Sequence, residues 1–518
     1  MGWDCDLLGF VCGPSRCLNV LCPPMLSRPA ADLAPLPWHP LGTRAIVSGL
    51  IAASAALVLW LWFAAPGLAD DGCQLVQEFC RPDGLRIWNH VLYFPAAQLV
   101  GLLGARPDRT LWLLSALAGA VLVGTSYASA FVLTGDRRAA ASTALVIALT
   151  PAVAYHATYV EVHALHAATT GTVVLALLLL RRWPRRVLQA TFVGAALAAL
   201  THRSAALLVP ALAAVAAASL QQSGTRRAGL WALFAATAGV ACGYVADDLM
   251  HRWLGGPVLF ESVAQVRGAQ GLPLSTMLVD ELLWPLCLLC TAAAAALTCR
   301  ARQGLGLRFA PLLALVSYAI PIAVAGIATH GGYWLGAVPV LALGVAIQVP
   351  AVLASGTLAR LTAAVVLLLS GWLTVRAVVT DPARLAEGEL RERRIAAACA
   401  WLPEGGTLLS TCLGMQYVDG AAPNVREIDV YNYIGYSLIG GRTLDEVGDG
   451  VLRLAAAEAT RAEVVVWSSE WRQMPELPRE FYDVLAAIEA RVVVEFRGIP
   501  IETGFGKAFR LQPRSTSR

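Results

Sequence analysis

Seven of the eight histidines in this 518-residue chain stand at or near the ends of long apolar runs: His90, His156, His163, His166, His202, His251 and His330. Ionisable side chains at membrane depth are costly, rare and usually functional. The acids that accompany them are few. Asp70 and Asp71 follow the first apolar run directly, and Glu78 comes next. A carboxylate in a cleft, tuned by burial and a neighbouring like charge, can serve as a general base. In a solvated loop the same pair does no chemistry. Neighbouring residues of an extended loop point to opposite sides, so one can face a cleft while the other meets solvent. Asp70, closer to the membrane end of the run, is the expected base. Asp71 precedes Gly72, a pairing common in turns.

Further along, Asn89-His90-Val91-Leu92-Tyr93-Phe94-Pro95 places a His and a Tyr beside a turn, where they can line a groove or anchor the chain at an interface. Glu161 is the only acid between Asp136 and Asp247, and His156, His163 and His166 surround it. On a helix, His163 and His166 share a face. The spacing differs from that of a zinc-protease helix, and hydrogen bonding to a polar substrate is the expected role; polar packing and metal ligation are the alternatives. His202 and Arg203 form a tight turn between two apolar runs. Arg suits bidentate phosphate contacts and equally well snorkels to headgroups. Candidate substrate contacts are therefore Glu78, His90, Tyr93, His156, Glu161, His163, His202 and Arg203, with no metal site assigned.

These residues need elements to position them. The composition is 57% hydrophobic and 14% charged, with mean hydropathy +0.62. Soluble domains carry about 25% charged residues, so a wholly soluble protein is excluded, as is extensive disorder. Eleven spans are expected, near 45–66, 110–134, 139–155, 164–180, 187–201, 204–220, 229–246, 282–299, 309–329, 334–354 and 361–379. Residues 86–104 are amphipathic, contain Pro95 and belong on the membrane surface. With the N-terminus inside, the inner segments hold 15 Arg against 4 acids, and the outer loops up to residue 380 hold 8 Arg against 11 acids. That bias puts a tail of residues 1–44 in the cytoplasm. It places the histidines outside, together with everything after 380.

The two parts differ in charge: 23 Arg against 15 acids up to residue 380, and 16 basic against 20 acidic residues beyond it. Nothing resembles a basic nucleic-acid face. Residues 381–518 alternate helix (386–401), strand (407–412), helix (443–460), strand (462–467), helix (478–490) and strand (491–497). That pattern predicts a small α/β sheet. It carries no GxGxxG and reads as a cap, or as a glycan-binding surface with Trp467, Trp471 and Tyr482 as stacking residues. The expected fold is an α-helical polytopic membrane protein with a C-terminal soluble α/β domain, divided at 1–44, 45–380 and 381–518.

The layout resembles the GT-C superfamily of polytopic glycosyltransferases. Asp70 and Asp71 stand where that family places its first-loop acids. His90, Tyr93 and Pro95 match part of a His-Pro-Pro-Gly-Tyr-Pro-Leu-Tyr-like stretch, without its Pro-Pro-Gly. Glu161-Val162-His163 is similar to a Glu preceding an aromatic at the outer end of a later span. The resemblance implies a polyprenyl-phosphate-linked sugar as donor, a hexosyltransferase-like activity and a glycan, lipid or protein acceptor. It also implies a site on the outer face of a bacterial cell membrane, among membrane lipids. No cofactor is expected, and without an Asp-x-Asp motif in the first loop no metal either. A transporter or lipid flippase without chemistry is the alternative.

Overall fold

The computed structural model describes residues 39–63, 91–220, 227–253, 305–325, 332–354, 356–411, 424–439, 442–470, 479–503 and 506–512, with positions 72, 75, 76, 79, 418 and 422. In chain order the helices of the apolar part are α1 (Thr43–Phe63), α2 (Tyr93–Gly101), α3 (Pro107–Thr134), α4 (Arg137–Ala148), α5 (Pro151–Ala157), α6 (His163–Leu179) and α7 (Pro184–Thr201). There follow α8 (Val209–Leu220), α9 (Arg227–Trp253), α10 (Leu305–Ala325), α11 (Val338–Ala354) and α12 (Thr357–Val378). Six-residue 3₁₀ segments, Arg203–Leu208 and Gly332–Ala337, lead into α8 and α11. Among the described residues seven helices are long and apolar enough to cross a membrane, eight if one bent pair forms a span. This is a multi-pass membrane protein. The span expected at 282–299 lies outside the described residues.

The bent pair corrects the span expected at 139–155. α4 and α5 meet at 66°. Pro151 is the cause, because proline has no N–H to donate and drives the preceding residue out of the helical region. Thr150 accordingly sits at ψ 119°. The interrupted backbone is satisfied from α12: the carbonyl of Leu149 accepts from Ser370 Oγ (2.5 Å) and Thr374 Oγ1 (2.8 Å). The runs at 187–201 and 204–220 are separate helices, divided at His202, whose backbone is extended (φ −162°, ψ 139°).

α2 packs on the bundle end with Leu75, Val76, Leu111, Leu114, Val160 and Val162, forming an apolar cap. After α12 the chain continues into α13 (Pro382–Trp401), β1 (Gly406–Ser410), β2 (Val425–Asp429), α14 (Val430–Ile439), α15 (Leu444–Arg461), β3 (Val465–Ser468), α16 (Arg479–Glu495), β4 (Ile499–Thr503) and β5 (Gly506–Leu511). The strand order is β2-β1-β3-β5-β4. The first three strands are parallel, and β5 runs antiparallel to both β3 and β4. α13 covers one face through Ala398, Trp401 and Leu402. Residues of α14, α15 and α16 bury Leu409 and Trp467 on the other. α13 also touches the membrane part: Arg391 lies 3.6 Å from Asp108 at the start of α3, and Ile395 packs against the cap.

Three readings of this region change. Trp467 is fully buried and donates its indole N–H to Glu489 (3.2 Å), so it cannot stack a glycan. β2, α14, β4 and β5 add to the expected pattern. The segment 491–497 continues helix α16 to Glu495 rather than forming a strand, because Leu485, Ile488 and Val492 recur on one helical face and are all buried. In a strand Val492 and Val494 would share a face; here Val494 is 67% exposed. We therefore expect Val492→Asp to destabilise the sheet region by about 3 kcal/mol or more and Val494→Asp to change it by roughly 0.5 kcal/mol or less. Hydrogen exchange at α16 and β3 checks this; equal effects would contradict the register.

Candidate functional site

The extended residue His202, the unwound stretch after α5 and the 3₁₀ turn before α11 converge at the cap end of the bundle. They gather four imidazoles there. His156, in the last turn of α5, pairs through Nδ1 with Glu161 Oε2 at 2.6 Å. His163, first residue of α6, brings Nε2 to 3.8 Å from the same oxygen. The rings are in contact: His156–His163 centroids are 5.3 Å apart, His163–His202 4.9 Å and His166–His202 5.4 Å. Tyr333 covers both His163 (5.3 Å) and His202 (5.2 Å). His156, His166 and His202 are buried, whereas the Glu161 side chain keeps 21% of its surface exposed. Glu161 is thus where the cluster opens.

The hydrogen bonds set proton positions. Thr201 Oγ1 donates to the carbonyl of Ala198 (2.7 Å), so toward His166 Nδ1 (3.1 Å) it offers only lone pairs and the ring donates. His202 Nδ1 accepts the backbone N–H of Ser204 (3.1 Å), which leaves the proton of the neutral ring on Nε2. Ser204 Oγ lies between the two rings, 2.8 Å from His202 Nδ1 and 3.4 Å from His166 Nε2. Among the described residues no set of three His, Cys, Asp or Glu is placed to hold a metal ion.

Arg203 turns toward α9. Its guanidinium is 3.6 Å from Asp247 Oδ2, and His251 Nε2 is 3.5 Å from Oδ1 of the same buried carboxylate. Tyr244 donates its hydroxyl to the Arg203 carbonyl. Tyr93 is wholly buried in the apolar cap, and that burial pushes its hydroxyl well above the ordinary phenol range. Ser115 below it donates to the Glu161 carbonyl (3.3 Å). Asp70, Asp71, Glu78 and His90 lie outside the described residues. Gly72 is described: a Cβ there would stand 2.7 Å from the Val160 carbonyl, so the backbone at 72 rests on the residue before Glu161.

The span expected at 229–246 stops short of Asp247 and His251, which α9 carries, and the sequence gives no site role to Tyr333, Ser204 or Thr201. A signal for Tyr333 was available in its flanking glycines. A Cβ on Gly332 would strike the rings of His163 and His156, and one on Gly336 would reach 2.5 Å from both His166 Nε2 and the Tyr318 hydroxyl. The 3₁₀ turn lies flat on the histidines only because these positions lack side chains. Gly336→Ala should destabilise the bundle by about 1–3 kcal/mol through overpacking, read as thermal unfolding in detergent. Unchanged stability would show that the turn does not press on His166.

Solved structures share the fold of this chain. No family model matches the sequence, and no curated protein matches it. The chain is similar over 92% of its length to the crystal structure of ArnT from Cupriavidus metallidurans bound to undecaprenyl phosphate, covering 99% of that chain with TM-score 0.56 and 14% identity. For ArnT from the same organism in the apo state the TM-score is 0.51, over 90% of this chain and 98% of that one, again at 14% identity. The chain has the fold of these ArnT structures.

Proposed function

We propose that the protein is a glycosyltransferase that moves a sugar from a polyprenyl-phosphate-linked donor to an acceptor at the histidine-bearing end of the bundle. The observation that carries this reading is the seat of Gly72. The residue that follows Asp71 in sequence rests on Val160, beside the strip bearing His156, Glu161 and His163. A solved protein of the same fold holds undecaprenyl phosphate, which supports a donor of that class.

On this reading Asp70 accepts the proton of an acceptor hydroxyl. The freed oxygen attacks the anomeric carbon, the bond from that carbon to the phosphate oxygen breaks, and polyprenyl phosphate leaves with the electron pair. A cation near the departing phosphate lowers the barrier, and Arg203 is the expected one. Glu78, His90, His156, Glu161, His163 and His202 are the candidates for orienting sugar hydroxyls; Tyr93, wholly buried in the apolar cap, does not reach a sugar. The phosphate leaving group needs no cofactor. Purified protein is to be incubated with a panel of labelled polyprenyl-phosphate sugars and candidate acceptors. Release of polyprenyl phosphate with transfer of label supports the proposal; intact donors throughout the panel would overturn it.

Orientation has its own test. A reporter active only outside the cytoplasm should work when fused after Asp381 and fail after Arg182, as the arginine bias requires. The reverse result would turn the histidine cluster toward the cytoplasm.

A further inference from the structure

Away from the histidines, one face of α1 and one face of α4 form the walls of a groove about 900 Å³ in volume. α3 closes its floor with Val123 and Tyr127, and the last turn of α12 closes one end with Thr374 and Val378. The volume arises from small residues. Ala52, Ala55 and Ala56 on α1 face Ala141, Ala144 and Ala148 on α4, so two rows of methyl groups leave open what larger side chains would fill. The walls run from Ser48 to Phe63, about 22 Å at 1.5 Å per residue. A slot of that length, walled by methyl groups, takes an alkyl chain.

The two ends of the groove differ. The cap end is apolar, at Phe63 and Val379. At the opposite end Arg137 is itself part of the lining, Arg138 follows it, and Arg44 stands one turn before Ser48, which lines the same mouth. Asp136 is engaged as the N-cap of α4, accepting the Arg138 backbone N–H at 2.8 Å. The start of α1 is fastened there as well, with the His39 N–H on the Val132 carbonyl at 2.9 Å. Arg137 therefore stands in the mouth of a slot shaped for an alkyl chain, with Arg44 one turn before Ser48 at the same end.

We infer that this groove holds one anionic glycerophospholipid of the leaflet opposite the histidine site, its phosphate between Arg44 and Arg137 and an acyl chain along the alanine rows. The site is separate from the proposed transferase chemistry and does not depend on it.

The test uses the full chain in mild detergent, titrated with phosphatidylglycerol or phosphatidylcholine and followed by native mass spectrometry. Phosphatidylglycerol should bind saturably at one equivalent and more tightly than phosphatidylcholine. Each juxtamembrane cation contributes about five-fold to attraction of an anionic lipid, so Arg44→Gln with Arg137→Gln should weaken binding roughly thirty-fold. Arg185→Gln, in the first turn of α7, serves as the control and should leave it unchanged. Ala55→Phe with Ala141→Phe, both at exposed positions, should exclude the lipid while the bundle keeps its thermal stability. Equal affinity for the two lipids, unchanged binding in the arginine pair, or retained lipid in the phenylalanine pair would each overturn the inference. So would cross-linking from a cysteine at position 55 to another part of the chain or to a second copy.

Discussion

Asp70→Asn should reduce sugar transfer by about 10²- to 10⁴-fold, the range spanned by a positioned general base. The substitution keeps the size of the side chain and removes its basicity, so insertion and thermal stability should stay as in the parent. Asp71→Asn should lose only part of the activity, because the aspartate before Gly72 is expected to shape the turn. The two together should abolish transfer. The measurement is the initial rate of label transfer from a polyprenyl-phosphate sugar at saturating acceptor. Greater sensitivity at 71 would reverse the order of the pair. Full activity in both single variants would shift the base to Glu78 or Glu161, and Glu161 is in contact with His156 and His163.

The second large effect is expected in the sheet. Arg394, fully buried on α13, donates from Nε to Glu470 Oε1 at 2.9 Å and from Nη2 to Glu427 and Ser410. Glu427 also accepts the Val418 backbone N–H at 2.9 Å. Removing one partner of such a pair leaves an uncompensated buried charge, at about 3–5 kcal/mol. Arg394→Met should therefore speed amide exchange at Leu408 and Leu409 by roughly 10²-fold or more in the full chain. Replacing all three charges, as Arg394→Met with Glu427→Leu and Glu470→Leu, should recover much of the protection, because no charge is then stranded. Unaltered exchange in the single variant would show that the cluster contributes nothing. Arg391, one turn earlier, reaches Asp108, so loosening of α13 should also be felt where the sheet meets the bundle.

Much of this architecture could be read without coordinates. Apolar length located most of the helices, and the placement of His156, His163, His166 and His202 beside the ends of apolar runs foretold that they would meet. What stayed hidden has physical reasons. Hydropathy averaged across 139–155 passes over a single Thr-Pro step, although that step breaks the helix. The span expected at 229–246 ends before Asp247 and His251 because polarity rises there. Their mutual contact and the nearby Arg203 neutralise the charge, and α9 runs on to Trp253. Tyr333 lies 170 residues from His163 in the chain, and no local pattern encodes such a contact. The β-branched run near 492–494 favours strand by propensity, and burial at helical spacing overrode it.

The open carbonyl at the α4–α5 break has a consequence for how the chain is made. Leu149 is completed by hydroxyls 221 and 225 residues further along. At about 5–20 residues per second, roughly 10–45 s pass between synthesis of the acceptor and of its donors. During that interval a bare peptide carbonyl inside a bilayer costs several kcal/mol. The bent α4–α5 pair must then wait in a wet or shielded setting, such as the insertion machinery or a water-filled gap between the first helices, until α12 arrives. Late insertion of the last membrane helix thereby becomes the step that seals the middle of the bundle, and chains truncated before Ser370 would be released with that seam open.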